Sequence, residues 1–244
     1  MSAPRAALIT GSASGIGAAV VRRLAGEGFR VVVNSVTSVG AGRALVDELG
    51  GDVAHYVQAD IAVLADAQRL VAETVERFGQ LDVLVNNAGT TQRIPHDDLE
   101  AATPDVFRHL FDVNVVGAWQ TTVAAMPHLK ATGAGSVVNV SSLAGVRATG
   151  SSIPYAVSKA ALNHLTRLLA NVVGPEVRVN AVAPGLVDTP WTADWDDIRT
   201  LVTAMAPAQR SGQPDDIAEV VLSLVRSAYV TGEVWVVDGG MHLR

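Results

Sequence analysis

Seven short apolar runs mark the chain, AALIT, RVVVN, VAHYVQ, LDVLVN, GSVVNVS, VRVNAVA and EVWVVD, with helical patterns between most neighbours. Runs of this length read as strands buried on both faces, and strands alternating with helices pair in parallel between two helical layers. The expected class is therefore α/β: a doubly wound parallel sheet of about seven strands with helices on both faces. Ligands of such sheets bind beyond the C-terminal strand ends, where the strand order reverses. Thr10, Asn86 and Ser141 each fall at such an end. The stretch TPDVFRHLFDVNVVGAWQTTVAAMPHLK is expected to be one long helix, capped by Thr103 with Pro104 in its first turn.

The first run enters Thr10-Gly11-Ser12-Ala13-Ser14-Gly15-Ile16-Gly17, after which AAVVRRLAGEG takes up a helical pattern. Strand, glycine-rich turn and helix N-terminus together make an anion site. Glycines let the backbone approach a phosphate, while free N–H groups and the helix dipole attract it. Gly11 suits the turn, Gly15 the close approach to a pyrophosphate, and Gly17 the packing of helix on strand. A flexible turn is the bland alternative, and the spacing differs from G-x-G-x-x-G. Position after the first strand of a βαβ unit favours the nucleotide.

Tyr155 and Lys159 stand four residues apart in YAVSK, in a helical stretch that opens at Pro154. Residues i and i+4 share a helix face, so both side chains reach one space. VVNVSS brings Ser141 and Ser142 to the end of an apolar run. A free tyrosine, with a pKa of about 10, is a poor base at neutral pH. A lysine charge about 4 Å away contributes roughly 4 kcal/mol at an effective dielectric near 20, and about 1.4 kcal/mol moves a pKa by one unit. Lys159 is therefore expected to bring Tyr155 towards neutrality, where phenol, ammonium and hydroxyl move a proton on or off an alcohol oxygen. An isolated Y-x-x-x-K is more often an exposed tyrosine beside a solvated lysine, so the other motifs carry the weight.

Composition narrows the partners. The 244 residues are 49% hydrophobic and 17% charged, no proline- or serine-rich linker divides them, and one domain spanning 1–244 is expected. A net charge of −6 without a basic cluster argues against nucleic acid, which needs many lysine and arginine contacts, and favours small ligands. No cysteine is present, which excludes a disulfide framework, a thiolate nucleophile and a cysteine zinc site. The six histidines show no H-x-x-x-H spacing, so no metal centre is expected. Asp97-Asp98, Asp196-Asp197 and Asp215-Asp216 read as helix starts and solvated faces. No run approaches membrane-spanning length and no basic, apolar leader precedes the first strand, so a cytoplasmic location without a membrane partner is expected.

Taken together, TGSASGIG at 10–17, NNAG at 86–89, Asn114, Ser142, Tyr155-x-x-x-Lys159, Pro184-Gly185 and TGEVWVVDGG at 231–240 resemble the short-chain dehydrogenase/reductase family along essentially the entire chain. The resemblance extends to its 3-oxoacyl-carrier-protein reductase-like ketoreductases. The spacing of Ser142 from Tyr155 also looks like the family's and selects Ser142 over Ser141 as the catalytic hydroxyl. One departure is VRSAYVTG, a residue or two short before the last strand.

The resemblance implies a Rossmann-type fold and hydride exchange between a nicotinamide cofactor and a ketone/secondary-alcohol pair. It assigns Tyr155 to giving or taking the hydroxyl proton, Ser142 to hydrogen-bonding the carbonyl oxygen and Lys159 to holding the nicotinamide ribose. Asn114 would support a water between Lys159 and solvent. Cofactor contacts are implied at Gly11, Ser12, Ser14, Gly15, Ile16 and Gly17, and at Asn34 and Ser35 after the second strand. Asp60 and Ile61 would meet the adenine, although a capped helix start explains Asp60 nearly as well. Asn87, Ala88 and Gly89 flank the cofactor with Tyr155 and Lys159, and Pro184, Gly185, Val187 and Thr189 stand at the nicotinamide end. A homotetramer or homodimer is implied as well.

An acidic residue ending the second strand would accept bonds from the adenosine ribose and repel the extra phosphate of NADP. Here the strand ends in Asn34-Ser35-Val36-Thr37-Ser38 without a carboxylate, so NADP is favoured over NAD. Against NADP stand Ser14, where NADP-using relatives often carry a basic residue, and the lack of an arginine directly after Ser35. The ketone or alcohol is expected between LAGVRATGSSI and a small substrate-loop region around 186–212, with Leu143, Val146, Ile153, Trp191 and Trp195 as an apolar wall, although Trp191 and Trp195 suit core or subunit contacts equally. Arg147 reads as a solvated loop residue. Two other readings stay open. A nucleotide-sugar epimerase or dehydratase-like enzyme is disfavoured by the length and by TGSASGIG. A non-catalytic NADP-binding regulator would have no need of a proton donor.

Overall fold

All seven apolar runs become strands: β1 (Ala6–Ile9), β2 (Arg30–Ser35), β3 (Ala54–Gln58), β4 (Val83–Asn86), β5 (Gly135–Val140), β6 (Val177–Pro184) and β7 (Val234–Val237). They form one sheet in the order β3-β2-β1-β4-β5-β6-β7, in which every pairing is parallel. The structure is a computed structural model and describes residues 4–244. Between the strands run α1 (Gly15–Gly26), α2 (Val39–Leu49), α3 (Leu64–Phe78), α4 (Pro104–Phe111), α5 (Ala118–Ala131), α6 (Ile153–Val173), α7 (Asp196–Met205) and α8 (Pro214–Arg226).

Alternation along each strand decides which layer a side chain joins. On β1, Ala7 and Ile9 enter a core with Leu24 of α1 and Val221 of α8, whereas Ala6 and Leu8 enter the opposite core with Leu70 of α3 and Leu129 of α5. Both faces are thus buried under helices, which is the doubly wound, Rossmann-type arrangement the runs imply. No helix among the described residues is long and apolar enough to cross a membrane.

The strand order reverses between β1 and β4, and the backbones approach closely there. Gly11 has φ of 60°, and a Cβ on it would stand 2.6 Å from the Cα of Ala88. Asn87 fastens the gap, donating from Nδ2 to the carbonyls of Thr10 at 2.9 Å and Gly11 at 2.8 Å. The Thr10 hydroxyl accepts in return from the N–H groups of Asn87 and Ala88, each at 3.1 Å.

The stretch expected as one long helix is continuous but not uniform. Thr103 caps α4 by accepting from the Val106 N–H at 3.4 Å, and α4 then passes through a π-helical turn, Asp112–Gly117, into α5. Gly117 lets this turn lie against Ile61, whose side chain a Cβ would meet at 2.8 Å. Such widened turns occur often at functional sites, and this one carries Asn114.

After β6 the chain leaves the sheet as a helical excursion that contains a 3-10 turn, Pro190–Thr192, and α7. It closes on its own base, where the Asp188 N–H donates to the Gly212 carbonyl at 2.9 Å and the Gly212 N–H to Leu186 at 2.8 Å. The Asp188 carboxylate accepts from Ser211, Arg199 and Gln213, and these donors, Ser211 first, hold it below the usual carboxylate range.

Candidate active site

Ser152 starts α6 by accepting from the Tyr155 N–H at 3.3 Å, and one turn later Lys159 follows Tyr155 on the same face. The Lys159 Nζ lies 5.8 Å from the Tyr155 ring centroid and donates to the Val140 carbonyl at 3.0 Å, at the end of β5. Ser142 caps a 3-10 turn, Leu143–Gly145, by accepting from the Ala144 N–H at 3.2 Å, and lines the same cleft as Tyr155. That turn is seated directly on α6, since a Cβ on Gly145 would meet the Lys159 backbone at 2.6 Å. Hydroxyl, phenol and ammonium are therefore held in register by one backbone contact. Ser141 and Ser142 both line the cleft, but the Ser141 hydroxyl donates to the Lys159 carbonyl at 3.2 Å, which leaves the Ser142 O–H as the one free to donate to a ligand.

Asn114 is buried beside this group. It accepts from the Thr90 N–H at 2.8 Å and donates to the Thr90 carbonyl and the Ser158 hydroxyl, each at 3.0 Å. A Cβ on Gly89 would lie 3.2 Å from Asn114 Oδ1 and 3.4 Å from Lys159 Nζ, so amide and ammonium converge at that glycine.

Burial acts on both titrating groups. It lowers Lys159 to about 8 and pushes the Tyr155 phenol up from its ordinary value, with the neighbouring Ser142 hydroxyl working the other way. The expectation that Lys159 brings Tyr155 down is thereby corrected. The ammonium is directed at the Val140 carbonyl, and desolvation of the phenol dominates.

Of the residues expected around the cofactor, Gly11, Ser14, Gly15, Ile16, Gly17, Asn34, Ser35, Asp60, Ile61, Asn87, Ala88, Gly89, Tyr155, Lys159, Pro184, Gly185, Val187 and Thr189 line a single cleft of about 980 Å³, as does Ser142. Ser12 is a correction. It is buried, donating to the Ile9 carbonyl at 2.7 Å and accepting from the Asn34 N–H at 3.0 Å, so its hydroxyl braces β1 against β2. Asn34 reaches the cleft edge, but its amide is fully engaged with the Gly11 N–H and the carbonyls of Val57 and Ala59. Polar groups left for an adenosine ribose are the hydroxyls of Thr37 and Ser38, since the buried Ser35 hydroxyl is bonded to that of Tyr56 at 2.9 Å. Asp60 accepts from the Ala62 N–H at 2.9 Å, a local turn cap.

A dinucleotide fits this lining. Gly15 has φ of 55°, and a Cβ on it would press on Thr189 at 3.2 Å. Ser14 opens α1 without a side-chain cap, so the first-turn N–H groups of Gly15, Ile16 and Gly17 lack helical partners at the cleft wall and suit a pyrophosphate.

The other end of the cleft is apolar. Leu143, Trp191 and Trp195 line it as expected, whereas Val146 and Ile153 do not. Trp191 stands edge-on to Tyr155, with ring centroids 6.4 Å apart and planes at 84°. Arg147 is exposed in its loop, as expected, and its guanidinium donates to the main-chain oxygens of His242 and Arg244.

The family model described as enoyl-(acyl carrier protein) reductase matches residues 11–242. At 60% identity over 240 residues, 97% of this chain and 96% of the other, the chain is similar to a Streptomyces violaceoruber protein described as ketoacyl reductase 2 of the granaticin polyketide synthase. A solved short-chain dehydrogenase/reductase from Burkholderia xenovorans matches with a TM-score of 0.91 and 37% identity over 100% of both chains. The chain belongs to the short-chain dehydrogenase/reductase family. Like other members it is an NAD(P)-dependent oxidoreductase that interconverts a ketone and a secondary alcohol. ElxO, solved with NADP bound, is a further neighbour, with a TM-score of 0.89 and 26% identity over 99% of this chain and 100% of the other.

Several lining residues of this dehydrogenase/reductase carry no motif. Arg93, Ile94 and His96 follow NNAG in an irregular loop, and Met241 directly follows TGEVWVVDGG. Arg93 sits over the Trp195 ring at 5.3 Å and pairs with Asp197 at 3.0 Å. Only the neighbourhood of the tryptophans pointed to it.

Proposed function

We propose that this chain is an NADPH-preferring ketoreductase of β-ketoacyl or related polyketide substrates, with Tyr155 as general acid. The observation that carries the reading is the meeting of Ser142, Tyr155 and Lys159 where the dinucleotide cradle joins the apolar pocket. When bound, NADPH supplies the hydride. Tyr155 gives its proton to the carbonyl oxygen while Ser142 hydrogen-bonds the same atom. A phenol pushed up by burial keeps its proton at neutral pH, which suits the reductive direction. Lys159, lowered to about 8, exchanges protons readily and can return one to Tyr155 while holding the ribose. Asn114 fastens Thr90 and Ser158 beside Lys159, where a water would connect the ammonium to solvent. The 186–212 region serves as the substrate loop of a single cytoplasmic domain.

Preference for NADP is supported by the hydroxyls of Thr37 and Ser38 and by the absence of a carboxylate among residues 34–38. Assembly as a homodimer or homotetramer is supported by two unpartnered surfaces. Trp119 and Val123 on α5 and Leu168 and Val172 on α6 are exposed, and β7 is half-exposed at the sheet edge. A panel of β-ketoacyl thioesters, cyclic ketones and alcohols, run with both cofactors, tests the reading. We expect loss of NADPH absorbance with the ketones and a higher kcat/KM for NADPH than for NADH. Turnover of no panel member favours the regulator, and a clear NADH preference overturns the cofactor choice.

A further inference from the structure

One segment, which begins at the end of TGEVWVVDGG and continues beyond it, joins three parts of the cleft. After β7, Asp238 buries its carboxylate to 1% exposure and accepts from the N–H groups of Gly240 at 2.9 Å and His242 at 2.7 Å, with the His242 ring 2.9 Å away. Behind it is Gly185, where a Cβ would meet the Asp238 Cβ at 2.8 Å. On a second side the segment rests on the return of the excursion. The Ala208 N–H donates to the Gly239 carbonyl at 3.0 Å, and a Cβ on Gly240 would strike Pro207 at 2.8 Å. On the third side Arg147, from the loop after Ser142, donates to the carbonyls of His242 and Arg244. Met241 lies between these anchors and lines the cleft.

We propose that Arg147 is a positioning residue for ketone reduction: its grip on the backbone at 242 and 244 holds the Asp238–Arg244 segment across the substrate end of the cleft. The grip makes Met241 part of the substrate wall and sets the Ser142 loop at a fixed distance from the excursion carrying Trp191 and Trp195. Arg147 is itself exposed, so the contact is not a core requirement of the fold. Five donors in a planar fork allow one guanidinium to hold two carbonyls, which an ammonium does less well. Asp238 and His242 complete the buckle from the other side. The kinetic consequence rests on the ketoreductase reading, whereas the grip itself does not.

The full chain is compared with Arg147→Gln, Arg147→Lys, His242→Ala and the Arg147→Gln/His242→Ala double variant. In Arg147→Gln, amide hydrogen exchange at 143–149 and 239–244 should quicken about tenfold. Ketone KM should rise about tenfold while kcat and the NADPH Kd stay within about twofold. Arg147→Lys should recover part of the KM, and adding His242→Ala to Arg147→Gln should raise it little further, since both act through one segment. Unchanged exchange in Arg147→Gln overturns the grip. Unchanged KM, or a KM rise matched by weaker NADPH binding and lower kcat, overturns the positioning role. A wild-type protein that reduces no ketone counts against the function reading, and the exchange result still decides the grip.

Discussion

The two ends of the cleft are held by different means. At the dinucleotide end the walls are backbone: Gly11 against Ala88, Gly17 against Ser12 and Gly15 against Thr189, fastened by the amides of Asn34 and Asn87. At the ketone end the walls are side chains, Trp191, Trp195, Leu143 and Met241, borne on an excursion tied at its base by Asp188 and on a segment gripped by Arg147. A wall built from backbone admits few substitutions, and one built from side chains admits many. The first end therefore fixes a cofactor common to many reactions, and the second can change its substrate without disturbing the sheet. Tyr155 and Ser142 stand at the junction.

The largest effect should come from that junction. Tyr155→Phe removes the proton and leaves the ring against Trp191, so turnover should fall about a thousandfold with folding and NADPH binding kept. Steady-state rates beside a fluorescence titration with NADPH check it. Activity near wild type removes Tyr155 from the mechanism.

Next comes the backbone wall. Gly11→Ala places a methyl 2.6 Å from the Ala88 Cα at a residue with φ of 60°, so the β1–β4 gap must widen. A loss of about 3 kcal/mol in stability is expected, with weaker NADPH binding. Chemical denaturation measures the first and titration the second. A fully stable Gly11→Ala that binds NADPH normally would break the distinction between the two ends.

Lys159→Met should act in the opposite sense on stability. The folded lysine is lowered to about 8 from 10.5, so holding its charge opposes folding by about 3 kcal/mol below pH 8. Losing the bond to Val140 offsets about 1 kcal/mol of the relief. The variant should thus be more stable by about 2 kcal/mol at pH 7 and catalytically poor. Because the folded value is the lower one, wild type gains stability as pH rises from 8 to 10.5, and the gap to Lys159→Met should close over that window. Urea titrations of both proteins at several pH values measure it, and a constant gap disproves the assignment.

What could be read from the sequence follows the same division. The seven strands, the glycine turn, NNAG and the Tyr-x-x-x-Lys pair were legible because each depends on local spacing or on the need for a missing Cβ. Ser12 was misassigned because it shares the glycine turn yet faces inward, and nothing in a linear pattern distinguishes the two directions. Asn34 lines the cleft, but its bonds to Val57 and Ala59 depend on β3, which is distant in sequence. The Tyr155 shift was missed because burial, unlike the spacing to Lys159, is a property of the packed molecule. Arg147 meets His242 only when the segment after β7 returns across the loop after Ser142, a contact spanning more than ninety residues.

The smallest effect should come from the side-chain wall. Trp191 touches Tyr155 only edge-on and is 48% exposed, so Trp191→Ala leaves no buried cavity and should change stability little. Its indole contributes apolar area to whatever ketone lies against the phenol. An aromatic contact contributes about 1 kcal/mol, which corresponds to roughly a fivefold rise in KM for bulky cyclic ketones and less for small ones. NADPH affinity should not move, because no part of Trp191 belongs to the glycine-walled end. Initial rates with a size series of ketones, paired with NADPH titrations, separate these outcomes. If NADPH binding weakened as much as ketone binding, the two ends would be coupled through the excursion, and the cleft would behave as one site instead of two independently built halves.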